Sequence, residues 1–502
     1  MKDNKLITVT PESVGIPSKA IRDYIEALID RKVNLHSFLV LKNGKICAEG
    51  YCPPYKEDKL QRLYSISKTF TSMAIGLLAD EGKICLDDQV ISYFPEYLPE
   101  KIHPWLADLK IRDLLRMSSV FSELNHAPES GPWVKAYLNG PVTHPSGSIF
   151  MYDTAASHTL CVLVEKISGM TMLEYMRKRF LDPIGFSEDA WCVKGTDGFS
   201  WGGSGVMATL RDLAKFACTV MNGGRFDGKQ LLPEAYVKAA TTRQIYNDRN
   251  KDGSRLSEGY GYQVWMLPEG AFAFWGMGSQ CAICFPKFDL IFCCTADNQG
   301  ADVKEKLIFE EIYHRLIPFI SDQPVTENEK EYDKLLKMCK EIRLSVVEGK
   351  TNSAVKEKVN DTVYVMEENP MKWSEICLSF NGDEGVLRYK TPRGSKEIYF
   401  GLGKHVEYAF PETHYYYEQI GLPSGKGYRA WSSAAWVDEN TLVIRTETLD
   451  EYLGNMTMTI SFKDDDVGIA ILKSAEYFFD EYQGMAGGRK KNLLDENRKE
   501  IL

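Results

Sequence analysis

Ser65 and Lys68 stand three residues apart in the stretch Leu63-Tyr64-Ser65-Ile66-Ser67-Lys68-Thr69-Phe70-Thr71-Ser72. The residues that follow carry a helical period, with Phe70, Met73, Ala74, Leu77 and Leu78 at i, i+3, i+4, i+7 and i+8. Gly82 lies just past the last periodic residue and suits a left-handed C-terminal cap. A hydroxyl and an amine at i and i+3 share one helical face, so the amine can reach the hydroxyl. The first turn of a helix also presents N–H groups without intrahelical partners, and its dipole favours negative charge. Serine in that position has a neighbouring base and a ready donor for an oxyanion, the two requirements of acyl transfer. The pattern is short. Ser353-Ala-Val-Lys356 repeats it, and a capped, solvated helix start looks the same.

Three further stretches carry residues of the right types. Pro145-Ser-Gly-Ser-Ile-Phe-Met-Tyr152-Asp153-Thr154 runs into a helical stripe of Ala156, Leu160, Leu163, Val164 and Ile167 that ends at Gly169. A phenol at the mouth of that helix is either a half-buried aromatic or a general base, if a nearby ammonium lowers it from about 10. Asp153 or Thr154 is either an N-cap or a substrate contact. Trp201-Gly-Gly-Ser-Gly-Val-Met-Ala-Thr-Leu-Arg-Asp-Leu-Ala-Lys215 leads into a helix near Thr209, with Asp212 completing a capping box. Trp275-Gly276-Met277-Gly278-Ser279-Gln280 brings glycines into a strand, where they often mark the close approach of a ligand.

The elements that position these groups are legible as two kinds. Residues 12–31 read as a helix with Ser18 as N-cap. His36–Lys42 and Lys45–Tyr51 flank Asn43-Gly44, a hairpin signal. Helices and long loops fill about 85–255. Strand texture returns at 259–267, 271–275, 280–285 and 290–296, before a helix over about 302–320. The early hairpin and late strands form one antiparallel sheet, with the middle as an inserted helical lobe. The polar run at 321–335 reads as a linker. Residues 336–490 form an all-β domain, a barrel or sandwich, from strands such as Ile376–Phe380, Thr441–Thr446, Met456–Phe462 and Gly468–Leu472. The tail at 491–502 reads as loose.

The totals restrict the function classes. The chain has 502 residues and a net charge of −10, with no basic run or basic-aromatic face for nucleic acid. No segment approaches the apolar length of a membrane span, and no apolar leader is visible, so a cytoplasmic location is expected. The 12 cysteines are scattered. Cys281-Ala-Ile-Cys284 sits in a strand pattern, where positions i and i+3 face opposite ways, so neither a metal site nor a cofactor is expected. Gly198-Phe-Ser200-Trp-Gly202 fits a Gly-x-Ser-x-Gly elbow but lacks the strand before it and the helix directly after.

Ser-x-x-Lys, then Tyr-Asp-Thr where Tyr-x-Asn is usual, then a glycine-rich strand entry resembles the serine β-lactamase and penicillin-binding protein superfamily. The class C β-lactamase-like hydrolases, esterases and D-aminopeptidases among them, are the most similar group. Pro11-Glu-Ser-Val-Gly-Ile-Pro17, Leu114-Leu-Arg-Met-Ser-Ser119, Thr209–Phe216 and Gly259-Tyr-Gly-Tyr-Gln263 agree with it. The resemblance covers about residues 10–320. It implies an α+β fold of β-lactamase type, followed here by a lipocalin-like barrel or sandwich. It implies that Ser65 attacks a carbonyl, that Lys68 and Tyr152 share the proton transfers, and that the backbone N–H groups of Ser65 and Ser279 hold the oxyanion. Thr154, Gly276, Met277, Gly278 and Gln280 would then contact substrate. The third motif has no basic side chain and Thr154 replaces the usual Asn, so β-lactam and D-peptide specificity are not implied. The expected function is a serine hydrolase acting through an acyl-enzyme on an ester or amide of a small or peptide-like molecule. The alternative is a slowly acylated sensor module without efficient turnover. In related hydrolases an extra β domain can shape access to the cleft. The segment His405–Tyr417, whose three consecutive tyrosines cannot all face one core, is either an ordinary exposed hairpin or a segment that docks on the catalytic domain and restricts bulky substrates.

Overall fold

Asn43 and Gly44 join the strands Leu35–Lys42 and Lys45–Tyr51 with φ of 52° and 67°, both left-handed, as a two-residue hairpin turn requires. In this computed structural model the hairpin forms one side of a six-stranded antiparallel sheet. Its order is Lys45–Tyr51, Leu35–Lys42, Leu290–Ala296, Gln280–Phe285, Phe272–Gly276 and Trp265–Met266. The structure describes residues 6–122, 131–247, 255–412, 428–449, 452–475, 479 and 481–491. These divide into two compact units, 6–344 and the described residues from Ser345 onward. Part of the segment His405–Tyr417, from residue 413, and all but the first residue of the 491–502 tail lie outside the described residues.

Every residue of Leu35–Lys42 and Leu290–Ala296 is buried, because helices cover both faces of the sheet. Tyr24, on the helix Ser18–Asp30, meets Phe292 with ring centroids 5.1 Å apart. Phe216, on the helix Leu210–Met221, meets Phe274 at 5.8 Å. Phe274 is in register with Ala282 and through it with Cys293, the neighbour of Phe292, so the two contacts lie on opposite faces. A strand buried on both sides reads as a continuous apolar run, which is how 280–285 and 290–296 look in the sequence. Cys281 and Cys284 point to opposite faces by the same alternation.

Three local readings change. Ser18 is the first residue of its helix and not its cap; the buried Glu12 carboxylate accepts the Ser18 N–H at 2.7 Å and its hydroxyl at 2.9 Å. The run 259–267 is a strand only at Trp265–Met266, because Gln263 takes a left-handed φ of 60° and turns the chain. The polar stretch from 321 runs into a helix, Glu329–Glu341, that belongs to the first unit. Only Leu335 of that helix is buried, so its composition is that of a solvated segment. Arg22 fastens it to the first helix by pairing with Glu331 at 2.9 Å.

The second unit is a closed barrel. Nine strands run in the ring order Gly394–Leu402, Glu384–Thr391, Glu375–Asn381, Thr362–Met366, Gly484–Lys490, Asp466–Ala475, Leu453–Lys463, Thr441–Leu449 and Arg429–Trp436. Parallel pairing of Gly401 and Leu402 with Ser433 and Ala434 closes the ring. The short strand Val406–Ala409 continues that edge. Ile376, Leu378, Leu387, Ile398, Phe400, Ile444, Met458 and Ile460 belong to its buried core. No helix among the described residues is long and apolar enough to cross a membrane.

Candidate active site

The helix Ser67–Asp80 is preceded by a 3-10 turn, Tyr64–Ile66, so Ser65 sits just ahead of the helix proper. Tyr64, buried, holds a left-handed φ of 47°, a conformation unusual for a residue with a side chain. The Arg62 guanidinium lies 4.5 Å from the centre of its ring. That turn throws Ser65 out of the helical path and brings its hydroxyl to the lysine one turn on.

Lys68 is 1% exposed, and its ammonium donates to Ser65 Oγ at 2.9 Å, to Thr154 Oγ1 at 3.1 Å and to the Gly203 carbonyl at 2.6 Å. It also lies 4.9 Å from the centre of the Tyr152 ring. Burial pushes the Tyr152 phenol above its ordinary range, and a hydrogen bond with Ser65 pulls the other way. Desolvation therefore dominates, and a depression of the phenol by the neighbouring ammonium is not among the influences on it. Asp153 is the cap of the helix Thr154–Ser168, its Oδ1 accepting the Ala155 N–H at 2.8 Å. Burial raises its carboxyl to about 6, against the N–H groups of Ala155 and Ala156 and the charge of Lys68, which lower it. Thr154 contacts Lys68, so its hydroxyl orients the lysine.

The segment after Trp201 forms the backrest of the nucleophile helix. Ser67 Oγ accepts the Val206 N–H at 2.9 Å, Thr71 Oγ1 donates to the Gly202 carbonyl at 2.9 Å, and Lys68 takes Gly203 between them. Gly202 and Gly203 are there for space. A Cβ on Gly202 would stand 2.3 Å from Cys161 Cβ, and one on Gly203 would stand 2.6 Å from Thr154 Cγ2. Sequence inspection singled out this glycine pair but gave it no role. Two supporting groups had no role assigned from sequence, Gln263 being noted only within a family-like stretch. Gln263 accepts from Ser157 Oγ at 2.6 Å and donates to the Leu114 and Leu115 carbonyls, each at 2.9 Å, while its own carbonyl takes Thr69 Oγ1 at 2.8 Å. It ties both motif helices to the 114–119 segment. His158, one turn past Thr154, meets Asp197 at 2.9 Å, both buried, beneath Trp201 at 4.3 Å between ring centroids. Burial alone would raise the Asp197 carboxyl; the His158 hydrogen bond and charge hold it below its ordinary value.

The third motif meets the first through Gly276. A Cβ there would lie 2.4 Å from the Leu63 carbonyl oxygen and 3.1 Å from the Ser65 nitrogen. Gly278 and Ser279 both take left-handed φ, 75° and 76°, before the strand resumes at Gln280. Ser279 is buried, its hydroxyl accepting from Asn298 Nδ2 at 3.2 Å. The Gln280 side chain is turned onto the backbone. Its amide donates to the Met277 carbonyl at 2.9 Å and the Ala296 carbonyl at 2.6 Å, and so holds the turn. Beside Tyr152 stands an aromatic wall of Trp265, stacked at 5.3 Å, with Phe150 and Tyr260 behind it.

The other two serines noted in the sequence are elsewhere. Ser353 Oγ bonds the Glu439 carbonyl, and Lys356 reaches Gly382 at 2.8 Å, so that pair never forms. Ser200 is buried, and no helix starts between it and Leu210.

Residues 21–304 match the family model described as Beta-lactamase. The chain belongs to the beta-lactamase family. The 6-aminohexanoate-dimer hydrolase of Paenarthrobacter ureafaciens is 24% identical to this beta-lactamase-family chain over 250 residues. The match covers 46% of this chain and 63% of the hydrolase, less than two thirds of its length. Among solved structures, a family VIII carboxylesterase is 17% identical, with a TM-score of 0.48 over 62% of this chain and 99% of that one. The octameric penicillin-binding protein homologue from Pyrococcus abyssi is 16% identical, with a TM-score of 0.48 over 93% of this chain and 99% of that one.

Proposed function

We propose that this chain is a serine hydrolase that forms an acyl-enzyme at Ser65 on the ester or amide carbonyl of a small molecule. The observation that carries the reading is the Ser65 hydroxyl, 2.9 Å from the Lys68 ammonium and hydrogen-bonded to Tyr152 in a buried setting. Lys68, in its unprotonated form, takes the proton as Ser65 Oγ attacks the carbonyl carbon. Tyr152, whose phenol burial keeps protonated at neutral pH, passes a proton to the leaving group and recovers it from the lysine. The Ser65 N–H and that of Ser279 receive the negative oxygen, and water later releases the acyl group by the reverse proton path. The relative named 6-aminohexanoate-dimer hydrolase supports hydrolysis as the reaction class.

The substrate side of the site favours neutral, apolar groups. The turn Gly276–Gln280 carries no cation, and Trp265 and Phe150 form a wall beside Tyr152. A β-lactam or a peptide C-terminus presents a carboxylate that a cationic third motif would hold, and a charged hydrogen bond of that kind contributes about 1.5–3 kcal/mol. Acetate and butyrate esters are accordingly the better substrates, and penicillins and cephalosporins the poorer. The test is labelling with a fluorophosphonate and mapping of the adduct by mass spectrometry, alongside p-nitrophenyl ester turnover. Ser65→Ala should abolish both. Labelling that persists in Ser65→Ala, or cephalosporin turnover faster than that of small esters, overturns the corresponding part of the reading.

A further inference from the structure

A cavity of about 210 Å³ opens at one end of the barrel in the second unit. Its lining comes from the segment joining Thr362–Met366 to Glu375–Asn381, the turn joining Glu384–Thr391 to Gly394–Leu402, and the residues just before Gly484–Lys490. Antiparallel pairing puts all of these at the same rim. Pro370, Met371, Trp373 and Pro392 make its walls largely apolar. Trp373 is held by stacking on Tyr389 at 4.1 Å.

A polar chain lies against this apolar surface. The hydroxyls of Tyr389 and Tyr482 are 2.6 Å apart, Tyr482 donates to Glu412 Oε1 at 2.6 Å, and the Lys396 ammonium pairs with the same oxygen. The Lys396 and Glu412 side chains are only 10% and 8% exposed. An ion pair so far from water contributes little to stability compared with apolar residues of the same size. Its presence in a cavity wall is explained if the ammonium has a second partner. An ammonium has three N–H groups, and among the described residues Lys396 bonds only Glu412. Among the described residues, the charged groups lining the cavity are Lys372, Arg393 and Lys396 with Glu412 and Glu481.

We propose that this cavity binds a small carboxylic acid with an aromatic or branched apolar body. The carboxylate takes the spare N–H groups of Lys396, and the body lies along Trp373, Met371 and Pro370. The cavity volume suits one or two rings and excludes long acyl chains.

The test is calorimetric titration of the full chain with indole-3-acetate and 4-phenylbutyrate, against the neutral indole-3-acetamide and the cationic tryptamine. One site is expected, with the carboxylates at least tenfold tighter than the amide or amine. Lys396→Met should cost the carboxylates at least tenfold and leave the amide nearly unchanged. The double variant Lys396→Met/Glu412→Gln, which strands no charge, serves if the single variant fails to fold. Pro392→Trp, at the exposed turn, should block acid and amide alike and places the site at the barrel. Absence of carboxylate binding at millimolar concentration, equal affinity for acid and amide, or binding untouched by both Lys396→Met and Pro392→Trp overturns the proposal.

Discussion

Gly276→Ala tests whether the third motif sets the position of the nucleophile. The added Cβ would lie 2.4 Å from the Leu63 carbonyl oxygen, where ordinary contact begins near 3.4 Å. Both partners are backbone, so no side chain can rotate away. The strand Phe272–Gly276 or the turn carrying Ser65 must yield by about 1 Å. The strand is paired with Gln280–Phe285 along its length, and the Leu63 N–H is bonded to the Val206 carbonyl at 2.8 Å. The displacement therefore falls on the gap between Gly276 and Ser65. A misplacement of about 1 Å at reacting groups costs on the order of 100-fold in rate, about 2.7 kcal/mol, while overpacking costs roughly 1–3 kcal/mol in stability. The assay is kcat for p-nitrophenyl acetate and the rate of fluorophosphonate labelling, with thermal unfolding run in parallel. Gly468→Ala, whose nearest contact is 4.0 Å away, is the control for alanine in a strand. A folded Gly276→Ala protein with undiminished kcat and labelling rate would falsify the coupling of the two motifs.

Three further outcomes are expected. Ser200→Ala should retain most ester turnover, since Ser200 is buried and opens no helix; loss of several orders of magnitude in a folded variant would restore the elbow reading. Asp153 is raised from 3.8 to about 6 in the folded chain, so its stabilising contribution is complete below pH 3.8 and is lost as pH rises through 6. Asp153→Asn keeps the cap and should gain roughly 2–3 kcal/mol relative to the parent between pH 3.5 and pH 8; a difference in unfolding free energy that does not vary with pH contradicts this. His158→Ala strands the buried Asp197 and should cost about 3–5 kcal/mol in denaturant unfolding. The double variant His158→Ala/Asp197→Asn should recover part of the loss, and a double variant no more stable than the single one removes the pair from the account.

The residues that announce local geometry were legible in the sequence. Asn43-Gly44 demands a left-handed turn, and Thr209 with Asp212 forms the capping box its spacing promises, Thr209 Oγ1 donating to Asp212 at 2.7 Å. The i, i+3 relation of Ser65 and Lys68 survives although Ser65 lies outside the α-helix, because the preceding 3-10 turn delivers its side chain to the same face. Groups that act through tertiary contact were not legible. Gln263 is a surface-type residue whose amide finds partners more than a hundred positions away, and nothing in its neighbours signals that. Glu12 caps a helix from six residues upstream of Ser18, beyond the reach of any local capping pattern. The family resemblance implies Gln280 as a substrate contact, and what the sequence did not announce is that its amide bonds the Ala296 carbonyl.

The left-handed Tyr64 has a consequence for any directed evolution of this chain. A non-glycine residue held there costs about 1–2 kcal/mol, which the rest of the unit must absorb. Glycine at position 64 would relieve that backbone cost but remove the ring beneath the Arg62 guanidinium, and with it the wedge that fixes where the next residue points. Selection for heat resistance alone will find such a substitution attractive. Selection that also demands turnover will keep the tyrosine and recover the missing stability at distant sites, so thermostable active lineages should accumulate their changes away from the 62–65 turn.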